Sequence, residues 1–356
     1  MTARLGRPHS TKLAIIDPRG QAVQGYAIMK HPFRRFLFLA AGAAAVTAAA
    51  VSLFAASDAW SQLTRTVKII VPFPPGGGGD VVARIVAQQI GDMKGPTMVV
   101  EDQPGAGTVI ATQNVVRSTP DGATLLFNNN SVVVVPQLRK LDYDPLSDLA
   151  PICDVASTPA VLVVNSVSPY RTLDDFLAAA RARPDDITVG GATGTVLDVG
   201  FEMLQRAANV RMTYVNYQGT NQAVNAVLGE HIVAALVDYP ATAGQLQAGT
   251  LRALAIGSSR RIDWLPDVPT VAESGLKDYE LDIWYGAFAP AKTPPEIVSQ
   301  LADWFAKAVQ APQTKARLVT QGVNAVGQCG APFAAYLRKQ FDVYGRVIRE
   351  ANLKIE

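Results

Sequence analysis

An α/β architecture in two lobes, each a mixed, mostly parallel sheet flanked by helices, is what this sequence predicts. Three observations carry that expectation. Short β-rich apolar runs alternate with segments of helical periodicity along the chain. The 295 residues from Gln62 onward exceed what a single hydrophobic core usually holds. No Pro/Ser-rich linker divides them, so the chain is expected to cross between lobes along ordered strands, which makes a hinge and a cleft.

The elements follow in order. Val67-Lys68-Ile69-Ile70-Val71 reads as a buried strand, and Asp80 to Met93 as a helix with Val81, Ile85, Val86 and Ile90 on one face. Further strands are expected at Thr97–Val100, Thr124–Phe127, Ala160–Val164, Ile187–Gly190, Met212–Val215, Ile232–Val237, Ala253–Ile256 and Tyr285–Ala289, with helices between most of them. Thr172-Leu-Asp-Asp175 is a capping box ahead of Phe176, Leu177 and Ala180. Thr293-Pro-Pro-Glu296 is expected to do the same ahead of Ile297, Leu301, Trp304 and Phe305. A helix is also expected from about Leu197 to Ala208.

The 356 residues are 49% apolar and 17% charged, with 32 Lys+Arg against 30 Asp+Glu. That balance excludes a disordered tail, a fibrous protein and a polybasic nucleic-acid binder. Residues 1–61 hold seven of the bases and two of the acids, so the remainder is slightly acidic. From Lys30 to Ala56 a basic start (Lys30, Arg34, Arg35) leads into a long Ala/Leu/Phe/Val run. Ser57-Asp58-Ala59 or Ala59-Trp60-Ser61 then supplies a small-x-small cleavage site. Residues 29–61 are therefore expected to be an export signal, by the general or the twin-arginine route, with residues 1–28 an upstream extension and the mature chain periplasmic. Beyond the signal there is one histidine, His231, and two cysteines, Cys153 and Cys329. A His-rich zinc site, a four-cysteine site and a multi-His cluster are excluded, and no cofactor or metal is expected. The cysteines stand 176 positions apart, so in an oxidising compartment they pair only if the fold brings them together, and two free, buried thiols are the preferred reading.

Val71-Pro-Phe-Pro-Pro-Gly76-Gly77-Gly78-Gly79-Asp80 is a glycine run between a buried strand and a helix. Glycines there let backbone approach a ligand, and a helix start offers unpaired N–H groups to an anion. It lacks GK[ST], and Val81 stands where a dinucleotide fingerprint needs a small residue. A plain turn with Asp80 as N-cap explains the run equally well. Ile187-Thr-Val-Gly190-Gly191-Ala192-Thr193-Gly194-Thr195 repeats the pattern in the second half. Two such turns in different lobes would clamp a carboxylate between helix N-termini without Arg or Lys. Catalysis is not expected. Ser131, Ser166 and Ser258 have no convincing base, His231 reads as a surface residue, and Asp102, Asp238 and Asp282 would need to converge.

At these residues the chain resembles the Bug-type, or tripartite tricarboxylate transporter, family of substrate-binding proteins. The likeness runs over residues 64–352. It is carried by the opening Val67-Lys-Ile-Ile-Val-Pro-Phe-Pro-Pro-Gly-Gly-Gly, by Val100-Glu-Asp-Gln-Pro-Gly-Ala-Gly107 and Thr119-Pro-Asp-Gly-Ala-Thr-Leu-Leu126, and by Val215-Asn-Tyr-Gln-Gly219 and Leu251-Arg-Ala-Leu-Ala255. Leu265-Pro-Asp-Val-Pro-Thr-Val-Ala-Glu-Ser-Gly275 and Trp284-Tyr-Gly286 complete it. The resemblance implies a type II-like periplasmic binding protein fold, lobe 1 being 62–163 plus 288–356 and lobe 2 being 164–287. It implies a monomer that closes over a small organic carboxylate and hands it to a membrane permease of a tripartite tricarboxylate-type transporter or, in some relatives, to a sensor. An exported enzyme on the same scaffold is the remaining alternative.

The loops that hold the ligand in that family correspond to 73–80 and 190–195. The candidate ligand-binding residues are thus Phe73, Pro75, Gly76, Gly77, Gly78, Gly79 and Asp80 in the first turn. Gly191, Ala192, Thr193, Gly194, Thr195 and Asp198 belong to the second, and Asn129, Ser131, Tyr217, Asp238 and Trp284 lie at neighbouring strand ends. Three departures from the family pattern add acidity or remove a base: Asp198 at a usual His, Asp282 at a usual small hydroxyl, and Gln103 at a common basic position. They lead to the expectation of a ligand with one carboxylate and a neutral, aromatic or amine-bearing far end.

Overall fold

The computed structural model describes residues 66–277, 279–350 and 353, plus two short backbone segments near the N-terminus that pair antiparallel, Ile15 with Val23 and Ile16 with Ala22. The export signal expected over 29–61 lies outside the described residues, as does nearly all of 1–28.

The main body opens with β1 (Val67–Val71), α1 (Gly78–Asp92), β2 (Met98–Asp102), α2 (Val109–Val116), β3 (Thr124–Asn129), α3 (Ser131–Leu138) and the single turn α4 (Pro145–Asp148). A 17-residue strand follows, β4 (Leu149–Asn165). Then come α5 (Leu173–Ala182), β5 (Thr188–Ala192), α6 (Val196–Ala208), β6 (Thr213–Tyr217), α7 (Thr220–Leu228), β7 (Ala234–Asp238), α8 (Ala243–Gln247) and β8 (Leu251–Ile256). The chain ends with β9 (Asp282–Pro290), α9 (Pro295–Gln310), α10 (Pro312–Thr320), β10 (Asn324–Cys329) and α11 (Ala331–Glu350).

Ten strands form one sheet in the order β2-β1-β3-β9-β4-β7-β5-β6, with β8 and β10 also pairing to β4. The outer strands run parallel, β1 with β2 and β3, and β5 with β6 and β7, as βαβ crossovers require. The pairs at the middle, β9 with β3 and β4, and β4 with β7, β8 and β10, are antiparallel. β4 holds the halves together. Its residues up to Pro159 pair with β9, and from Ala160 onward they pair with β7. Alternation sorts its second part by face, since Leu162 and Val164 enter the main core and Val161 and Val163 a second core with Ala235, Val237 and Ala223. Burying each such side chain contributes roughly 1.5–3 kcal/mol. From the sequence only Ala160–Val164 reads as strand here, because Pro151 and Pro159 interrupt the run and proline ordinarily ends a central strand.

Thr172 caps α5 with the full capping box: its hydroxyl accepts from Asp175 N at 3.1 Å, and the Asp175 carboxylate accepts from Thr172 N. The matching expectation at Thr293 is corrected. The helix begins at Pro295 after Pro294, and the buried Thr293 hydroxyl makes no bond to it. Asp80 is likewise not the N-cap of α1, a position held by Gly77; it sits in the first turn and accepts from Gly76 N at 2.8 Å.

The free-thiol reading is also corrected. Cys153 and Cys329 form a disulfide, because β10 returns antiparallel along β4 and places the two residues directly opposite one another. Spacing along the chain carried no sign of this, since β10 has no strand-like apolar alternation to mark it. Beside it, Asp154 is 4% exposed, leaves one carboxylate oxygen without a partner, and is pushed up to about 7 by burial. The folded state therefore keeps its proton while the unfolded chain, near 3.8, loses it, so stability falls as pH rises from about 4 to about 7 and stays low above. Asp154→Asn is expected to raise stability above pH 7 by on the order of 2 kcal/mol and to leave it unchanged at pH 4, as read by urea unfolding at both values.

Candidate functional site

The two glycine turns meet. A narrow cavity of about 30 Å³, room for a water or two, lies between the β1–α1 turn and the β5–α6 turn. Phe73, Pro74, Gly77, Gly78 and Gly79 wall it on one side, and Ala192, Thr195 and Leu197 on the other. Asn129 at the end of β3, Asp238 at the end of β7, Gly219, Thr220 and Asn221 at the start of α7, and Ile283 and Tyr285 of β9 complete it. Strand ends and helix starts converge here because each βα unit turns at the same edge of its parallel sheet.

Close backbone approach explains Gly78. A Cβ there would lie 2.1 Å from Asp238 Oδ2 and 2.3 Å from the Tyr285 hydroxyl. Gly78 N donates to Asp238 Oδ2 at 3.1 Å, and the Tyr285 hydroxyl donates to the same oxygen at 3.3 Å. The anion notch of α1 is thus partly occupied by the protein's own carboxyl. Burial pushes Asp238 above the ordinary carboxylate range, against the opposing bonds from Thr220, Tyr285 and Gly78. Among the described residues no Lys, Arg or His lines this inner cavity.

The second notch is filled as well. Asp198 accepts from Gly194 N and from Thr195 N, the latter at 3.2 Å, closing a capping box with Thr195. Thr193 N donates to Tyr217 O at 3.0 Å, Val196 N to the Ser131 hydroxyl at 3.2 Å, and Leu197 N to the Thr195 hydroxyl at 3.2 Å. The expectation of two open helix N-termini is therefore revised: the turns face each other, but each carries an internal carboxylate. Asp198 is pushed up to about 6 by burial, against the opposing influence of the nearby Tyr214 hydroxyl, the two amides and the charge of Arg139.

A wider outer chamber of about 410 Å³ adjoins the cavity, and Phe73 and Thr195 line both. Thr193 and Tyr217 open onto it, with Pro104–Thr108, Arg139, Asn216 and Gln218. Pro75 and Gly76 lie exposed at the rim, where the Pro75 carbonyl accepts from Asn221 Nδ2 at 3.4 Å. Gly194 packs against Gly107, an ideal Cβ on one lying within 2.8 Å of the other's Cα.

Other candidates serve the scaffold. Ser131 caps α6 from across the cleft, Asp80 pairs with Arg84, and Gly191 packs on the Tyr214 hydroxyl. Trp284 points away from the cavity and packs edge-on against Phe333 and Tyr336, because strand alternation assigns the inner face to Ile283 and Tyr285. Asp282 shares that far face, in a polar cavity with Arg260 and Trp264, and burial pushes it up to about 6. Gln103 donates to Glu101 and accepts from Asn114 at the surface. None of the three departures lines the inner cavity, so the monocarboxylate expectation loses its basis. Asp102, Asp238 and Asp282 do not converge: Asp102 pairs with Arg84, at 2.9 Å. His231 is exposed. Tyr285, Thr220 and Asn221 were missed; the alternation of β9 could have singled out Tyr285, and the Gly219–Thr220 helix start the others.

Residues 82–353 match the family described as tripartite tricarboxylate transporter family receptor. The chain is 32% identical over 296 residues to protein BugT of Bordetella pertussis, covering 82% of this chain and 91% of that one. It superposes on the periplasmic binding protein BugD with a TM-score of 0.78 at 29% identity, over 82% of this chain and 99% of the other. An R. palustris protein solved with adipate superposes with a TM-score of 0.78 at 27% identity, over 82% and 98% of the two chains. The fold, the paired glycine turns and the match over most of the body agree, and the chain belongs to the tripartite tricarboxylate transporter receptor family of periplasmic binding proteins.

Proposed function

We propose that this protein captures a small organic carboxylate in the periplasm and delivers it to a membrane permease of the tripartite tricarboxylate type, without chemical change and without a cofactor. The observation that carries the reading is the convergence of two βα turns from opposite halves of the sheet on one cavity, with Asp238 and Tyr285 between them. Burial holds Asp238 toward its neutral form, in which its carboxyl donates to an incoming carboxylate instead of repelling it. The adipate complex of a relative supports an acid ligand.

Opening and closing would flex β4 near Pro159 and Ala160, where its partners change from β9 to β7, and the lobes would divide there. The closed form presents one surface made of both lobes for the permease to recognise. Delivery to the periplasm would use the signal proposed at 29–61. Native mass spectrometry of protein purified without refolding, followed by calorimetric titration with a panel of mono- and dicarboxylic acids, tests the reading. One small acid per chain, recovered unchanged, is expected; no bound acid from either measurement, or a turned-over one, would overturn it.

A further inference from the structure

We infer that Arg139 and Asp198, on opposite halves of the sheet, join as an ion pair when the cleft closes over its acid, a latch that sets how fast the acid is released. The inference rests on the capture reading above and deepens it: the two are positioning residues that act through closure.

Both ends of α3 reach the β5–α6 turn. At its start the Ser131 hydroxyl accepts from Val196 N at 3.2 Å, and Arg139, the residue directly after it, runs in extended backbone and carries its guanidinium to the seam with Gly194. An ideal Cβ on Gly194 would lie 2.7 Å from Nη2. Asp198 holds the same glycine by its amide, accepting from Gly194 N and Thr195 N. Both charged groups are incompletely bonded: Arg139 Nε is buried without a hydrogen-bond partner, and so is Asp198 Oδ1. Among the described residues no carboxylate forms an ion pair with Arg139, yet its charge is felt at Asp198, where it opposes the upward push of burial. The acid closest to Arg139 along the chain, Asp142, is exposed and taken by Arg117 and Gln113.

A buried donor and a buried acceptor left unbonded are each costly, more so when charged, and the cost is removed when they meet. These two stand on opposite halves of the sheet and against one glycine, so the motion that joins them is the motion that closes the cleft. Guanidinium and carboxylate then form strong, directional bonds away from water. An attraction made only in the closed form leaves encounter with the acid unchanged and slows its escape. The absent side chain of Gly194 is what lets the guanidinium come this close. The Tyr214 hydroxyl, buried and unpartnered as well, is the competing donor to Asp198.

The test is a double-mutant cycle of Arg139→Gln, Asp198→Asn and the two together, using whichever of succinate, malate, adipate and benzoate the parent binds most tightly. Asn keeps an oxygen for the Gly194 and Thr195 amides, so Asp198→Asn removes the charge and leaves the helix cap. Each single variant is expected to release the acid about 10-fold faster in stopped-flow fluorescence, with the association rate within about twofold of the parent, and the double variant to release it no faster than the singles. Arg139→Lys should keep part of the slow release. Should Arg139→Gln fail to fold, Arg139→Lys takes its place in the cycle. Single effects that multiply in the double variant, a loss carried by the association rate, or a coupling of Asp198 to Tyr214→Phe with none to Arg139 would overturn the latch while leaving the capture reading intact. Binding of none of the four acids, with no acid retained on purification, overturns both.

Discussion

Gly78→Ala is expected to weaken binding of the captured acid by about 100-fold while the protein still folds. The new Cβ would fall 2.1 Å from Asp238 Oδ2 and 2.3 Å from the Tyr285 hydroxyl, and both of those side chains are buried. Neither can swing into solvent, so the first turn of α1 must move back from β7. Overpacking of this kind costs roughly 1–3 kcal/mol, and here it falls on the contact that draws the two halves of the sheet together. The same step breaks the Gly78 to Asp238 hydrogen bond, adding about 1 kcal/mol or more. Gly91→Ala, at the far end of the same helix with nothing within 4 Å of the new methyl, is the control and should slightly stabilise the chain without touching affinity. Titration of the acid that binds the parent decides the matter. An affinity for Gly78→Ala within about threefold of the parent would show that the cavity between the turns is not where the acid sits.

The second large effect concerns stability. Replacing both Cys153 and Cys329 by alanine is expected to lower unfolding free energy by about 2–5 kcal/mol, because the bond closes a loop of 176 residues and the entropy it removes from the unfolded chain grows with loop length. The double variant avoids leaving a buried thiol, which would confuse loss of the crosslink with oxidation. Urea unfolding of the parent with and without a thiol reductant should reproduce the difference, and acid affinity should change little, since the bond joins β4 and β10 away from the residues lining the cavity. A parent indifferent to reductant and equal in stability to the double variant would remove the crosslink from the account.

The α/β class, the βα units and both glycine turns were legible along the chain because their signals are local: apolar period, glycine runs and capping residues are read within a dozen positions. The resemblance to the receptor family was legible for the same reason, being carried by short ordered motifs. The long strand was half hidden by its prolines, and β10 was hidden by weak alternation. Which face a residue presents was harder. Trp284 was chosen and its neighbour Tyr285 passed over, although one step along β9 decides which of them reaches the cavity.

Asp198 and Asp282 show the same limit in charge. Their presence near the motifs was visible, but an acid's effect on a ligand depends on where its oxygens point. Asp198 spends its oxygen on two amides of its own turn, and Asp282 lies across the sheet. Asp238 faces inward, and nothing in the surrounding residues distinguished it from them. Arg139 was not singled out at all, because its place beside Gly194 depends on the meeting of loops separated by more than fifty positions in sequence.

By itself, then, the sequence determined most of the βα units and that two glycine turns would be poised at helix starts, since those outcomes depend on neighbours a few residues away. Only the tertiary structure decided that Cys153 meets Cys329, that the protein's own carboxyls reach into both notches, and that Arg139 lies on the seam with its Nε unpaired. Each of those depends on long-range register and on strand face, where a shift of one residue reverses the direction of every side chain.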